Sequence, residues 1–166
     1  MQLIFFDGNE IIYINIFAWL IFHLLSALIG TVSPDSKLDA KSFVFRIRDW
    51  ERKSDIYKNI FKVHKWKHLL PDAGSWFKNG FAKRKMSSLK SSYMQVFVRE
   101  TCRAELIHWL GILPAALFFL WNVWWVGLIM VGYALLVNMP CILAQRYNRI
   151  RFTRILENRI LDKKRS

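Results

Sequence analysis

Residues 11–29 read I-I-Y-I-N-I-F-A-W-L-I-F-H-L-L-S-A-L-I, nineteen positions with no ionisable side chain except His23. At 1.5 Å rise per residue such a helix is about 28 Å long, enough to cross a bilayer core. Trp19, His23, Ser26 and Gly30 fall on one side of it, which reads as a packing face. This run decides the class of the protein. Residues 1–10 carry Asp7 and Glu10 and no Lys or Arg, so no signal peptide is expected.

Two further apolar stretches follow at the other end of the sequence. Residues 106–120 are apolar apart from His108 and contain Pro114; residues 123–144 form a third stretch, interrupted near its end by Asn138-Met139-Pro140-Cys141. Trp121-Asn122 joins them as a tight turn, with Trp121, Trp124 and Trp125 suited to a membrane interface. The expected architecture is all-α: an integral membrane protein with three transmembrane helices (about 11–29, 106–120 and 123–144), forming one membrane domain over 1–166.

Charge is segregated from these stretches. The 166 residues carry 25 Lys and Arg against 12 Asp and Glu, while 54% are hydrophobic and eight are Trp. A soluble nucleic-acid binder would rarely hold such long uncharged runs, so no nucleic acid is expected as partner. Seventeen basic and eight acidic residues lie in 31–105, and all other Lys and Arg lie in 144–166. The positive-inside rule then places the N-terminus outside and the basic segment and C-terminus in the cytoplasm of a multi-pass cell-membrane protein. Cys102 and Cys141 have neither disulfide-framework nor metal-finger spacing.

Within 31–105, aromatics are threaded through the charges. An amphipathic interfacial helix is expected from Asp49, its N-cap, with Trp50, Tyr57 and Phe61 on one stripe and Arg52, Asp55, Lys58 and Lys62 opposite. Pro71 and Asp72-Ala73-Gly74 mark a turn after His68. Lys83-Arg84-Lys85 reads as a phosphate or headgroup contact. Ser87 or Ser88 is expected to cap the next helix. Residues 145–166 read as a basic tail.

The chemistry-bearing residues gather in R-E-T-C-R-A-E-L-I-H-W, residues 99–109. Thr101, Cys102, Glu105, His108 and Trp109 share one helical face. Glu100 stands three residues before Arg103 as a salt-bridge partner. Ionisable groups at the mouth of a membrane segment cost about 2.5–3.5 kcal/mol each near mid-helix, so they usually have a task. One reading is acid–base catalysis, with His108 oriented by Glu105 one turn earlier and Asn138, Gln145 or Arg146 stabilising an oxyanion. His68 with Asp72 is a second candidate pair. Glu105-x-x-His108 is also half of a di-iron helix-bundle pattern, but the other half is missing and no metal is expected. A third reading makes all of these groups structural.

Three blocks carry a family resemblance: W-K-H-L-L-P-D (66–72), E-T-C-R-A-E-L-I-H-W (100–109) and N-M-P-C-I-L-A-Q-R-Y-N-R (138–149). In order and spacing they resemble the glycosyl-4,4′-diaponeurosporenoate acyltransferases, small membrane enzymes of carotenoid synthesis. Cys102, Ala73 and Ile150 depart from the pattern on its flanks. The resemblance implies transfer of a fatty acyl group to a sugar hydroxyl of a membrane-embedded glycosylated carotenoid or similar glycolipid. Among the matching residues, Asn138, Gln145, Arg146, Asn148, Arg149, Trp66, Lys67 and Arg103 are the substrate-binding candidates, beside the catalytic candidates His108, Glu105, His68 and Asp72. No bound cofactor is expected; acyl-CoA or a similar activated donor would be a co-substrate, its phosphates drawn to Lys83–Lys85 or the basic tail. Expected partners are the bilayer, a lipid-like glycosylated acceptor and membrane proteins of the same pathway. The rival is a non-catalytic membrane subunit whose polar helix face binds a partner helix.

Overall fold

The structure is a computed structural model that describes residue 4 and residues 8–53, 55–70 and 91–165. Its long elements are α1 (Gly8–Val32), α5 (Ser91–Ile112) and α6 (Trp124–Arg165), with short helices α2 (Asp49–Lys53), α3 (Ile56–Asn59) and α4 (Val63–Trp66) between the first two. Three stretches are long and apolar enough to cross a membrane: Gly8–Val32, Ser91–Leu120 and Trp124–Asp162. Among the described residues there is no strand. The all-α membrane architecture is therefore observed, with longer helices than the apolar runs alone indicate.

The chain divides into two compact units. The first comprises Met1–Ser33 and Leu106–Ile142; the second comprises Pro34–Glu105 and Leu143–Ser166. In the first unit α1 buries Asn15, Trp19, Ser26 and Gly30, one stripe at helical spacing. Trp19 stacks on Phe118 at 4.8 Å and on His23 at 5.3 Å, and its indole N–H points to the Met130 sulfur at 3.3 Å. The packing role inferred for this face holds. Gly30 is required by close approach: a Cβ there would lie 2.1 Å from Ile107 Cγ1. Small residues let helix backbones approach in lipid, where no hydrophobic effect drives them together.

A reciprocal amide pair closes this unit at the hairpin. Asn15 Nδ2 donates to Asn122 Oδ1 at 3.0 Å, and Asn122 Nδ2 returns a bond to Asn15 Oδ1 at 2.9 Å. Trp121 Nε1 donates to the same Asn15 oxygen at 2.8 Å. Polar groups buried in a membrane protein must find such partners, because lipid offers none. After Ile112 the backbone tightens into a 3-10 helix over Leu113–Leu120, with Pro114 near its start. Proline removes an N–H and crowds the carbonyl four residues back, which ends the α-helical pattern there.

Pro140, by contrast, does not interrupt α6, which runs 42 residues through it. The expected break is absent. Proline at 140 frees only the Leu136 carbonyl, and membrane helices tolerate such a loss; on either side Asn138 Nδ2 donates to the Ala134 carbonyl and Cys141 Sγ to the Val137 carbonyl. The sequence 145–165 is likewise no separate tail but the continuation of this helix.

The second unit packs Tyr57, Val63, Ala144 and Ile150 into its core. Phe97 meets Phe152 with ring centroids 4.2 Å apart. The single amphipathic helix expected from Asp49 is instead three short pieces. Asp55 and Lys62 take left-handed backbone conformations, φ 45° and 49°, immediately before α3 and α4, and so separate the pieces. Trp50 is exposed while Tyr57 is buried, so the aromatic stripe does not form one face. The breaks turn Tyr57 and Val63 inward, where their burial offsets a backbone strain of about 1–2 kcal/mol per residue. Asp49 lies in the first turn of α2 rather than capping it; Glu51 reaches back to the Arg48 backbone N–H at 2.7 Å, one half of a capping box. The capping serines at 87 and 88 lie outside the described residues.

Candidate functional site

In the first unit the polar centre is His108 on α5 against Asn138 on α6. His108 Nδ1 and Asn138 Oδ1 are 2.9 Å apart. Asn138 is 3% exposed, and its Nδ2 is committed to the Ala134 carbonyl at 2.9 Å. That bond fixes the amide so that Oδ1 faces the ring. An amide oxygen only accepts, so Nδ1 carries the proton and donates, and Nε2 is the basic nitrogen of the neutral ring. Gly111 makes room for this: a Cβ there would stand 3.0 Å from Asn138 Oδ1. The arrangement can present a base with a defined tautomer. It is the residue-level device that general-base catalysis needs.

In the second unit the polar centre is a four-charge cluster. Glu105, fully buried on α5, accepts Arg146 Nη1 at 2.7 Å on one oxygen and Arg149 Nη2 on the other. Arg149, also fully buried, reaches Thr101 Oγ1 and Cys102 Sγ with its Nη1. Arg146 turns its remaining nitrogens to Glu51: Nε lies 3.0 Å and Nη2 2.8 Å from Oε1. Tyr57 donates its hydroxyl to Glu51 Oε1 at 2.6 Å and accepts from Arg146 Nε at 3.0 Å. Burial would raise the Glu51 carboxyl, but the Arg48 backbone N–H, the Tyr57 hydroxyl and the Arg146 guanidinium together hold it below the usual carboxylate range. Burial and the Glu51 hydrogen bond push the Tyr57 phenol up to about 12. Two carboxylates and two guanidiniums thus close on one another, the condition under which buried charge is tolerated.

The remaining candidates fall around this second unit. Lys67 Nζ donates to Asn148 Oδ1 at 2.6 Å and lies 5.0 Å from the centre of the Tyr147 ring. Burial lowers the Lys67 ammonium, and the Arg151 charge lowers it further. Arg103 bridges Glu100 at 3.1 Å and Asp35 at 2.8 Å, so the expected pair with Glu100 forms and gains a second acid. Trp66 Nε1 donates to the Phe61 carbonyl at 2.8 Å. Gln145 is half-buried on α6, and His68 is exposed on the 3-10 turn Lys67–Leu69. Asp72 and Lys83–Lys85 lie outside the described residues. Among the described residues no three His, Cys, Asp or Glu side chains come together as a metal site would require.

Glu51 and Tyr57 were not singled out as site residues from the sequence. The available signal was Glu51, with Asp49, among Arg46, Arg48, Arg52 and Lys53. Its partner lies 95 residues away, a pairing that helical periodicity cannot reveal.

The family model described as glycosyl-4,4′-diaponeurosporenoate acyltransferase matches residues 41–158. Proteins of that name from Staphylococcus aureus strains bovine RF122 / ET3-1, Newman and N315 are each 36% identical over 146 residues, covering 88% of this chain and 87% of theirs. No solved structure matches the chain significantly.

Proposed function

The chain belongs to the glycosyl-4,4′-diaponeurosporenoate acyltransferase family, and from that membership we propose that it moves a fatty acyl group from an activated thioester to a sugar hydroxyl of a glycosylated carotenoid acid held in the membrane. His108 is the general base. Its Nε2 takes the proton of the acceptor hydroxyl as that oxygen attacks the thioester carbonyl carbon. The C–S bond then breaks, and the leaving thiolate takes the proton back from the imidazolium. Asn138 is a positioning residue: it holds Nδ1 as donor through the whole cycle and stabilises the imidazolium when it forms. Glu105 serves chiefly as the counter-ion of Arg146 and Arg149.

The observation that supports this reading most directly is the His108–Asn138 hydrogen bond at 2.9 Å, with the amide anchored on Ala134. The proposed sidedness follows from charge: N-terminus outside, residues 31–105 and the C-terminus in the cytoplasm.

The test is acyl transfer in membranes expressing single variants. His108→Ala should reduce turnover by at least about 100-fold, the lower end of a general-base contribution. Asn138→Ala should lower kcat by roughly tenfold or more with little change in KM, because it removes about 1.5–3 kcal/mol of a hydrogen bond to the charged ring. Full transfer by His108→Ala would eliminate this base and leave His68 with Asp72 as the pair to examine.

A further inference from the structure

A pocket of about 370 Å³ opens in the second unit between α6 and the segment that carries α2, α3 and α4. Its walls include Lys58, His64, Tyr147, Arg151 and Arg154, together with the acids Glu51 and Asp55. The volume falls within the range of about 300–1,000 Å³ usual for small-molecule sites. The balance of charge in this pocket is uneven once internal pairing is considered. Glu51 is engaged by Arg146, Tyr57 and the Arg48 backbone N–H. Asp55 is paired with Arg154 at 3.2 Å. Both acids are therefore already compensated within the fold.

The cations are not. Among the described residues, Arg52, Arg99, Arg103, Arg146, Arg149 and Arg154 each have a carboxylate within ion-pair distance. Arg151 and Lys58 form no such pair. The Arg151 guanidinium lies 5.7 Å from the Tyr147 ring centre, and Lys67 lies 5.0 Å from the same ring. Arg151 and Lys67 thus both approach the Tyr147 ring, and the Lys67 ammonium is lowered by burial and by Arg151. Uncompensated positive charge beside a cavity favours an anion, and guanidinium favours phosphate through its planar fork of donors.

We propose that this pocket binds the phosphates of a nucleotide-bearing acyl donor, a coenzyme A thioester, with Arg151 and Lys58 on the phosphates and the Tyr147 ring as a surface for the base. This rests on the acyl-thioester reading above and deepens it by giving the donor a site. Of the two places the sequence offers for the donor's phosphates, Lys83–Lys85 and the basic tail, Arg151 belongs to the second, and Lys58 joins it from the segment between α2 and α4.

The test measures binding of free coenzyme A, which has the phosphates but no acyl group, to the full chain in nanodiscs of neutral lipid. Wild type and His108→Ala should bind it equally. Arg151→Ala and Lys58→Ala should each weaken binding about tenfold, as loss of a charge-assisted contact to phosphate does. Both side chains are at the surface, so their removal leaves the core intact, and in the transfer assay KM for the acyl donor should rise with kcat held. Unchanged affinity in the Arg151→Ala/Lys58→Ala double variant, or no binding by wild type, overturns the proposal. So does binding of a short-chain phosphatidylglycerol that is lost in the double variant and is not competed by coenzyme A, which would make the pocket a lipid headgroup site. A failure of His108→Ala to reduce transfer would strike the catalytic reading alone, since the binding result does not pass through His108.

Discussion

A carboxylate with no solvent exposure holds two guanidiniums at Glu105, and the energetic weight of the second unit rests there. Removing one partner from a buried charge set leaves the others unpaired, at a cost of about 3–5 kcal/mol. Glu105→Gln should therefore strongly lower the thermal unfolding midpoint of the detergent-solubilised protein. Glu157→Gln, which removes the surface partner of Arg52, should cost less than about 1 kcal/mol, because that pair is 40% and 46% exposed. Equal effects of the two would show that Glu105 is not structurally committed. Tyr57 gives the same cluster a pH signature. Its phenol is raised from an ordinary 10.0 to about 12, so the folded state binds that proton more tightly than the unfolded chain. The associated stability is present below pH 10 and is lost as pH rises towards 12. Glu51 acts in the opposite direction: its lowered carboxyl contributes stability above its ordinary 4.5 that is lost as pH falls through the folded value. An alkaline unfolding step between pH 10 and 12, followed by circular dichroism and tyrosinate absorbance, should weaken in Tyr57→Phe.

Helix packing in the first unit turns on a single missing side chain. A Cβ on Gly30 would lie 2.1 Å from Ile107 Cγ1, on a β-branched side chain with little freedom to retreat. Gly30→Ala should destabilise by about 1–3 kcal/mol, and Ile107→Ala in the same chain should restore part of the loss. Gly132→Ala is the matched control: nothing lies within 4 Å of its Cβ position, and helix propensity favours the alanine by about 0.8–1.0 kcal/mol. Thermal unfolding of the three variants decides it. The face containing Gly30 was legible in the sequence, because Trp19, Ser26 and Gly30 recur at helical spacing in an uncharged run. The breaks at Asp55 and Lys62 were not, since neither is a residue that favours left-handed backbone strongly enough to predict it. The continuation of α6 through Pro140 and on to Arg165 was hidden for a different reason. Proline signals a stop locally, and a charged stretch reads as a tail, unless one knows that Arg154 meets Asp55 and Arg52 meets Glu157. For the site, His108 was legible as an ionisable group inside an apolar run. Its partnership with Asn138 required the two helices to be placed side by side.

Across the whole chain, all 25 Lys and Arg lie in 31–105 or 144–166, and none precedes residue 31 or falls in the 121–125 hairpin. The proposed orientation predicts that, in a cysteine-free background, Val123→Cys reacts with a membrane-impermeant maleimide added to intact cells. Ser36→Cys and Asn158→Cys should react only after permeabilisation. Reaction of all three from outside would reverse the orientation or argue against a single one. The family match over residues 41–158 takes in both polar centres, the whole of Ser91–Leu120 and nearly all of Trp124–Asp162.

The buried charge cluster also bears on how the protein is made. Glu105 leaves the ribosome 41 residues ahead of Arg146 and 44 ahead of Arg149. At about 5–20 residues per second, that is seconds of synthesis during which the carboxylate has neither partner. Glu51 waits longer still. The final helix therefore delivers the countercharges for acids made long before it, and the second unit can lock only when that helix arrives. A chain cut before Arg146 leaves Glu51 and Glu105 without the guanidiniums that meet them in the folded unit.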